Sequence, residues 1–217
     1  MTAAVDSQDI CRREDEMIRT RLLSATLAAS LLLVQAGGVL AQTPPPIERT
    51  PEMEEHAAEL ATLFPETLGG VSLLDNLDIN VGQELIGELD PSDPDDAEEI
   101  AQFHELTAAA GATLDDAATA SSYAQLDEDA YAMVIAFQVR GADIQPALPL
   151  FVAALEEDIL DVIVELEQVG DVDVTMLRSA EDPEGGAWAL LARGDLIWLL
   201  AVPPELLEET IGSLPES

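Results

Sequence analysis

"YAMVIAFQVRG" (131–141) is the stretch that decides the fold. Its odd positions are Tyr131, Met133, Ile135, Phe137 and Val139, and its even ones are Ala132, Val134, Ala136 and Gln138. It is rich in β-branched and aromatic residues, has no proline and follows the acidic turn "LDED" (126–129), so it reads as a strand. Successive side chains of a strand point to opposite faces, which makes one face bulky and the other small. That pattern is expected where helices press against a sheet.

The neighbouring segments extend this sheet. Residues 117–124 (AATASSYA) read as a weaker strand of small residues. Downstream, "DVDVTMLRS" (171–179), "AWALLA" (187–192) and "LIWLLAV" (196–202) read as strands, joined by "EDPEGG" (181–186) and by the tight turn Arg193-Gly194-Asp195. A short strand is expected near 71–74, whereas 76–89 fits either a short helix or a bulged strand.

Helices are announced by their starts. Thr50 caps and Pro51 opens a helix that places Met53, Ala57, Leu60 and Phe64 on one side and ends at Pro65. Asp93 and Pro94 do the same for a second helix, whose inner side is Ile100, Phe103, Leu106, Thr107 and Ala110. A third begins near 147–149, with Leu148, Phe151, Val152, Leu155 and Ile159 at helical spacing, and 161–169 is read as its extension. "PPELLEETIGSL" (203–214) is a fourth.

Antiparallel hairpins separated by helices predict an α+β domain over 50–217, with about five antiparallel strands and helices mainly on one face. The phrases "DEDAYAMVIAFQVRG" and "DPEGGAWALLARG" share an outline of acidic turn, aromatic and apolar strand. They suggest a loose duplication of a strand–strand–helix unit.

"MIRTRLLSATLAASLLLVQAGGVLAQ" (17–42) has the layout of an export signal. Arg19 and Arg21 form its cationic end, Leu22 to Val34 its apolar core, and Val39-Leu40-Ala41 a small-residue site that places cleavage between Ala41 and Gln42. The alternative is a membrane anchor over 22–41, long enough to span a bilayer but weakened by Gln35 and the Gly37-Gly38 pair. Residues 1–16 hold five acids, which oppose a signal's charge preference, so translation is expected to start at Met17. Residues 42–49 form a proline-rich linker. Cys11, the single cysteine, lies ahead of the signal, so the chain can form no internal disulfide.

The full sequence carries 44 acidic and 8 basic residues, for a formal net charge of −36, and no lysine. Residues 42–217 keep 39 of the acids and 4 of the arginines, a net −35. Apolar residues make up 48 % of the chain, so this acidity does not mean disorder. Such a charge argues against nucleic acid, which needs phosphate-neutralising cations, and against anionic lipid heads. Salt adaptation is a further expectation, because screening relieves self-repulsion.

Candidate chemistry is sparse. His56 has Glu52 and Glu59 on the same helical side, a weak metal-site pattern outweighed by its reading as solvated helix surface. Asp90, Asp93, Asp95 and Asp96 offer hard oxygen ligands for calcium, but without the spacing of an EF-hand, and they also suit a helix-capping loop. His104 is expected at a core edge. Trp188 and Trp198, on neighbouring strands, are expected in the core, or else as a pair lining a binding surface. No nucleophile elbow, zinc-protease helix or phosphate loop occurs. The function expected is a secreted, non-catalytic binding or accessory domain with an extracellular or envelope partner. The alternatives are a carboxylate-using extracellular hydrolase, or a membrane-tethered accessory protein that keeps residues 22–41.

Overall fold

The computed structural model describes residues 47–215 except 88, 128–129, 159–161 and 181–186. The stretch expected to be an export signal, the cleavage site expected between Ala41 and Gln42, and the turn expected at 181–186 lie outside the described residues.

Helix α1 (Pro51–Leu63) starts as its sequence dictates: Met53 N–H donates to Thr50 Oγ1 at 3.3 Å and Pro51 fills the first turn. A two-stranded ribbon follows, β1 (Thr67–Leu68) and β2 (Val71–Ser72), then β3 (Asp78–Val81) and a 3-10 turn over Gly82–Ile86. Helix α2 (Pro94–Ala109) leads to β4 (Ala117–Gln125) and β5 (Tyr131–Val139), and α3 (Leu148–Asp158) follows them. The chain then runs through β6 (Val162–Val169), β7 (Val172–Ser179), β8 (Ala187–Arg193) and β9 (Leu196–Ala201) into α4 (Pro204–Ser213).

The fold is α+β, with seven strands in one sheet in the order β3-β4-β5-β9-β8-β7-β6, every pair antiparallel. Two strands exceed the expected five, and both are edges. β3 settles the ambiguous 76–89 stretch. β6 replaces the expected helical extension over 161–169, turning through Gly170 (φ +61°) into β7.

The helices do not share one face, which corrects the expectation. Even positions of β5 and β9 (Val134, Ala136, Trp198, Leu200) join Leu60 of α1, Phe64 just after it and Ile211 of α4 in one core. Odd positions (Ile135, Phe137, Ile197, Leu199) join Phe103 and Leu106 of α2 and Phe151 and Leu155 of α3 in the other. We call these sides face A and face B. The sheet is covered on both because β5 and β9 are apolar at odd and even positions alike. The small residues Ala118 and Ala120 of β4 let α1 lie close on face A, and Phe137 and Phe151 meet on face B with ring centroids 6.0 Å apart. The duplicated order survives as β4-β5-α3 and β8-β9-α4, but α3 covers face B and α4 face A, so no common packing relates the two copies.

Candidate functional site

Register places one set of side chains in a row across face B. Tyr123 of β4 opposes Met133 of β5, which opposes Ala201 of β9; Ala201 opposes Trp188 of β8, Trp188 opposes Leu177 of β7, and Leu177 opposes Val164 of β6. Directly opposed residues share a face with their side chains in reach of one another. Next to this row, Tyr131 opposes Gln125 at one end and Leu166 opposes Thr175 at the other.

Helices α2 and α3 bury the rest of face B but not these ends. Ile135, Phe137 and Leu199 are buried, Met133, Trp188 and Ala201 are half-buried, and Tyr123 and Tyr131 are 56 % and 60 % exposed. At the β6 end Val164 is 38 % and Leu166 75 % exposed. Large rings held half in water, each carrying a polar tip, are the residue types that bind partners with little loss of side-chain freedom. Asn76 steadies this corner, its Nδ2 donating to the Tyr123 carbonyl at 3.2 Å.

The two tryptophans are not brought together. Trp198 opposes Ala136 and Leu191 on face A, is fully buried and packs on Phe64 with ring centroids 5.6 Å apart, whereas Trp188 belongs to the row on face B. The row's other aromatics, Tyr123 and Tyr131, carried no sequence motif. Their signal was parity, since both are odd-numbered residues at the free end of the β4–β5 hairpin.

His56 is buried, while Glu52 and Glu59 are exposed, so the three do not converge. Its Nε2 donates to Gln138 Oε1 at 3.1 Å, and Gln138 Nε2 donates to both oxygens of Asp195 at 3.3 and 3.2 Å. Asp195 also accepts from the Gly141 N–H at 3.0 Å, so the aspartate of Arg193-Gly194-Asp195 ties the β8–β9 turn to the end of β5. His56 Nδ1 has no hydrogen-bond partner among the described residues. Burial lowers the His56 pKa below the usual 6.5 and the Arg140 charge adds to this; the Gln138 bond, Glu59 and Asp195 oppose it.

The acidic loop is occupied with its own chain. Asp90 accepts from the Ser92 hydroxyl and N–H at 2.7 and 2.9 Å, which lowers its pKa. Asp93 caps α2 through the Asp95 N–H at 3.0 Å, and Asp96 accepts from the Asp90 N–H at 2.7 Å. Among the described residues no group of three or more His, Cys, Asp or Glu is placed to hold a metal ion. His104 is exposed on α2 rather than at a core edge.

On face A a shallow cleft of about 350 Å³ opens between α4 and the β6–β7 hairpin, with Val169, Met176 and Leu207 as its apolar lining and Glu167, Arg178 and Glu208 as its charged groups. Among the described residues no helix is long and apolar enough to cross a membrane. No protein-family model, curated protein or solved structure matches the chain.

Proposed function

We propose that the chain is a secreted, strongly acidic binding or accessory module, working outside the cytoplasm and presenting the open part of face B to its partner. One observation carries the reading: the row of Tyr123, Met133 and Trp188, with Tyr131 beside it, stays partly in water at the margin of a sheet face whose buried part is covered by α2 and α3. Contiguous exposed apolar surface of this kind marks interaction sites more often than single exposed residues do. Export is supported by the signal-like layout of 17–42, and the net charge of −36 turns the module away from nucleic acid and anionic lipid.

The test uses the full chain expressed in secretion-competent cells, with a benzophenone amino acid in place of Tyr131 or, as control, of the exposed Glu98 on α2. The reading predicts a secreted form that begins at Gln42 and a discrete cross-linked partner from position 131 alone. Equal cross-linking from both positions, or retention of the chain in the cytoplasm, would contradict it.

A further inference from the structure

The edge strand β6 offers a second kind of recognition on the same sheet face, set apart from Trp188 by the buried Leu177. Half of the backbone N–H and C=O groups of an edge strand point away from its neighbour, and β6 has β7 on one side and no strand on the other among the described residues. It is eight residues long, "VIVELEQV", without the proline or lysine that often blunts an edge, and its only charged side chains are Glu165 and Glu167. The opposite edge, β3, is four residues long, and its Ile79 carbonyl is taken by the Arg49 guanidinium.

The side chains of β6 are sorted by face. Val164 and Leu166 lie on face B with the Tyr123–Trp188 row; Glu165 and Glu167 lie on face A, opposite Met176 and Val174. Arg178 reaches both glutamates, Glu167 at 2.8 Å and Glu165 at 3.9 Å, so two carboxylates share one guanidinium. Glu208 adds a third carboxylate across the face A cleft, which Glu167 borders.

We propose that β6 receives an extended cationic polypeptide as an added strand, with apolar side chains on Val164 and Leu166 and Lys or Arg side chains along Glu165 and Glu167. Backbone pairing supplies affinity in this mode, and alternate side chains supply specificity. A basic side chain of the added strand can lie along Val169, Met176 and Leu207 with its charge between Glu167 and Glu208, apolar stem inside and cationic head at the rim. Charge complementarity selects this occupant over a second copy. The fullest antiparallel registers of β6 with itself set Glu165 against Glu165 or Glu167, and like charges directly opposed are destabilising. The inference rests on the binding-module reading above and names the partner's chemistry.

The probe is a synthetic peptide of about eight residues alternating lysine with valine or leucine, titrated into the full chain at about 1 M salt to suppress diffuse attraction. Two control peptides carry the same composition, one scrambled and one N-methylated at alternate residues. The proposal predicts that both controls bind at least about tenfold more weakly. It predicts the same loss for Glu165→Lys/Leu166→Lys, and little change for Glu98→Lys/Glu105→Lys, which alters charge on α2. Equal binding of all three peptides, or equal losses in both variants, would overturn it in favour of diffuse charge attraction. A dimer that Leu166→Lys dissociates would overturn it in favour of a second copy. Nile red binding to the Tyr123–Trp188 row is measured alongside. A row that holds dye while the peptide fails overturns the cationic strand alone; a row that holds none overturns the binding-module reading itself.

Discussion

His56 shows how one buried polar group reports on the fold. The native state favours the neutral imidazole, because protonation would place a second N–H at Nδ1, which has no hydrogen-bond partner among the described residues, and burial and Arg140 both lower the pKa. The folded pKa lies below the unfolded value of 6.5, so the unfolded chain takes up the proton first. The stability that neutral His56 contributes is therefore present above 6.5 and is lost as pH falls below it. Falling pH also relieves the chain's self-repulsion, so the effect is read as a difference. Between about pH 7.5 and about pH 5.5, urea unfolding should show wild type losing stability relative to His56→Gln. A difference that does not change with pH would contradict this account of the site. Trp198 is the companion case. Fully buried against Phe64, it should cost about 3–5 kcal/mol when truncated to alanine, measured by the same unfolding curves.

At the scale of elements, caps and edges can be separated by mutation. Asp93→Ala removes the acceptor of the Asp95 N–H at the start of α2 and should cost about 1 kcal/mol, whereas Leu166→Lys on the open edge should leave the unfolding midpoint nearly unchanged. The elements legible in the sequence were those with strong local punctuation or strong periodicity. Thr50-Pro51 and Asp93-Pro94 fixed two helix starts, and the apolar runs of β5 and β9 fixed the sheet centre. β6 was not legible because its two faces are both partly wet. Without a buried stripe "VIVELEQV" lacks a clean alternation, and its Leu and Glu content suits a helix as well. The signal that was there is Gly170-Asp171 between two β-branched runs, a two-residue hairpin turn. The helices were expected mainly on one face, but β5 and β9 are apolar on both. The alanines Ala118 and Ala120 of β4 are what let α1 lie close on face A. Among the site residues, His56 was visible but its direction was not, since one helical step separates a solvated glutamate from a buried histidine. Tyr123 and Tyr131 became a surface only once register aligned them with Met133 and Trp188.

For the whole molecule, charge and the open face act together. With −36 formal charges and two apolar cores, the folded state is held by burial and opposed by self-repulsion. Raising salt from about 0.1 M to about 1 M shortens the screening length from about 10 Å to about 3 Å, so the melting temperature should climb across that range; a flat curve would remove salt adaptation as a reason for the acidity. The same charge opposes self-association, which an exposed aromatic row would otherwise favour. Whether that row is one binding surface is tested most directly by equilibrium Nile red titration of four variants. The account predicts saturable binding that Tyr123→Ser and Tyr131→Ser each weaken by about tenfold. Ile47→Ser, at an exposed apolar residue beside Gly87, and Glu98→Ser, at an exposed residue of α2, should leave it unchanged. Equal losses in all four variants, or dye binding that never saturates, would contradict it.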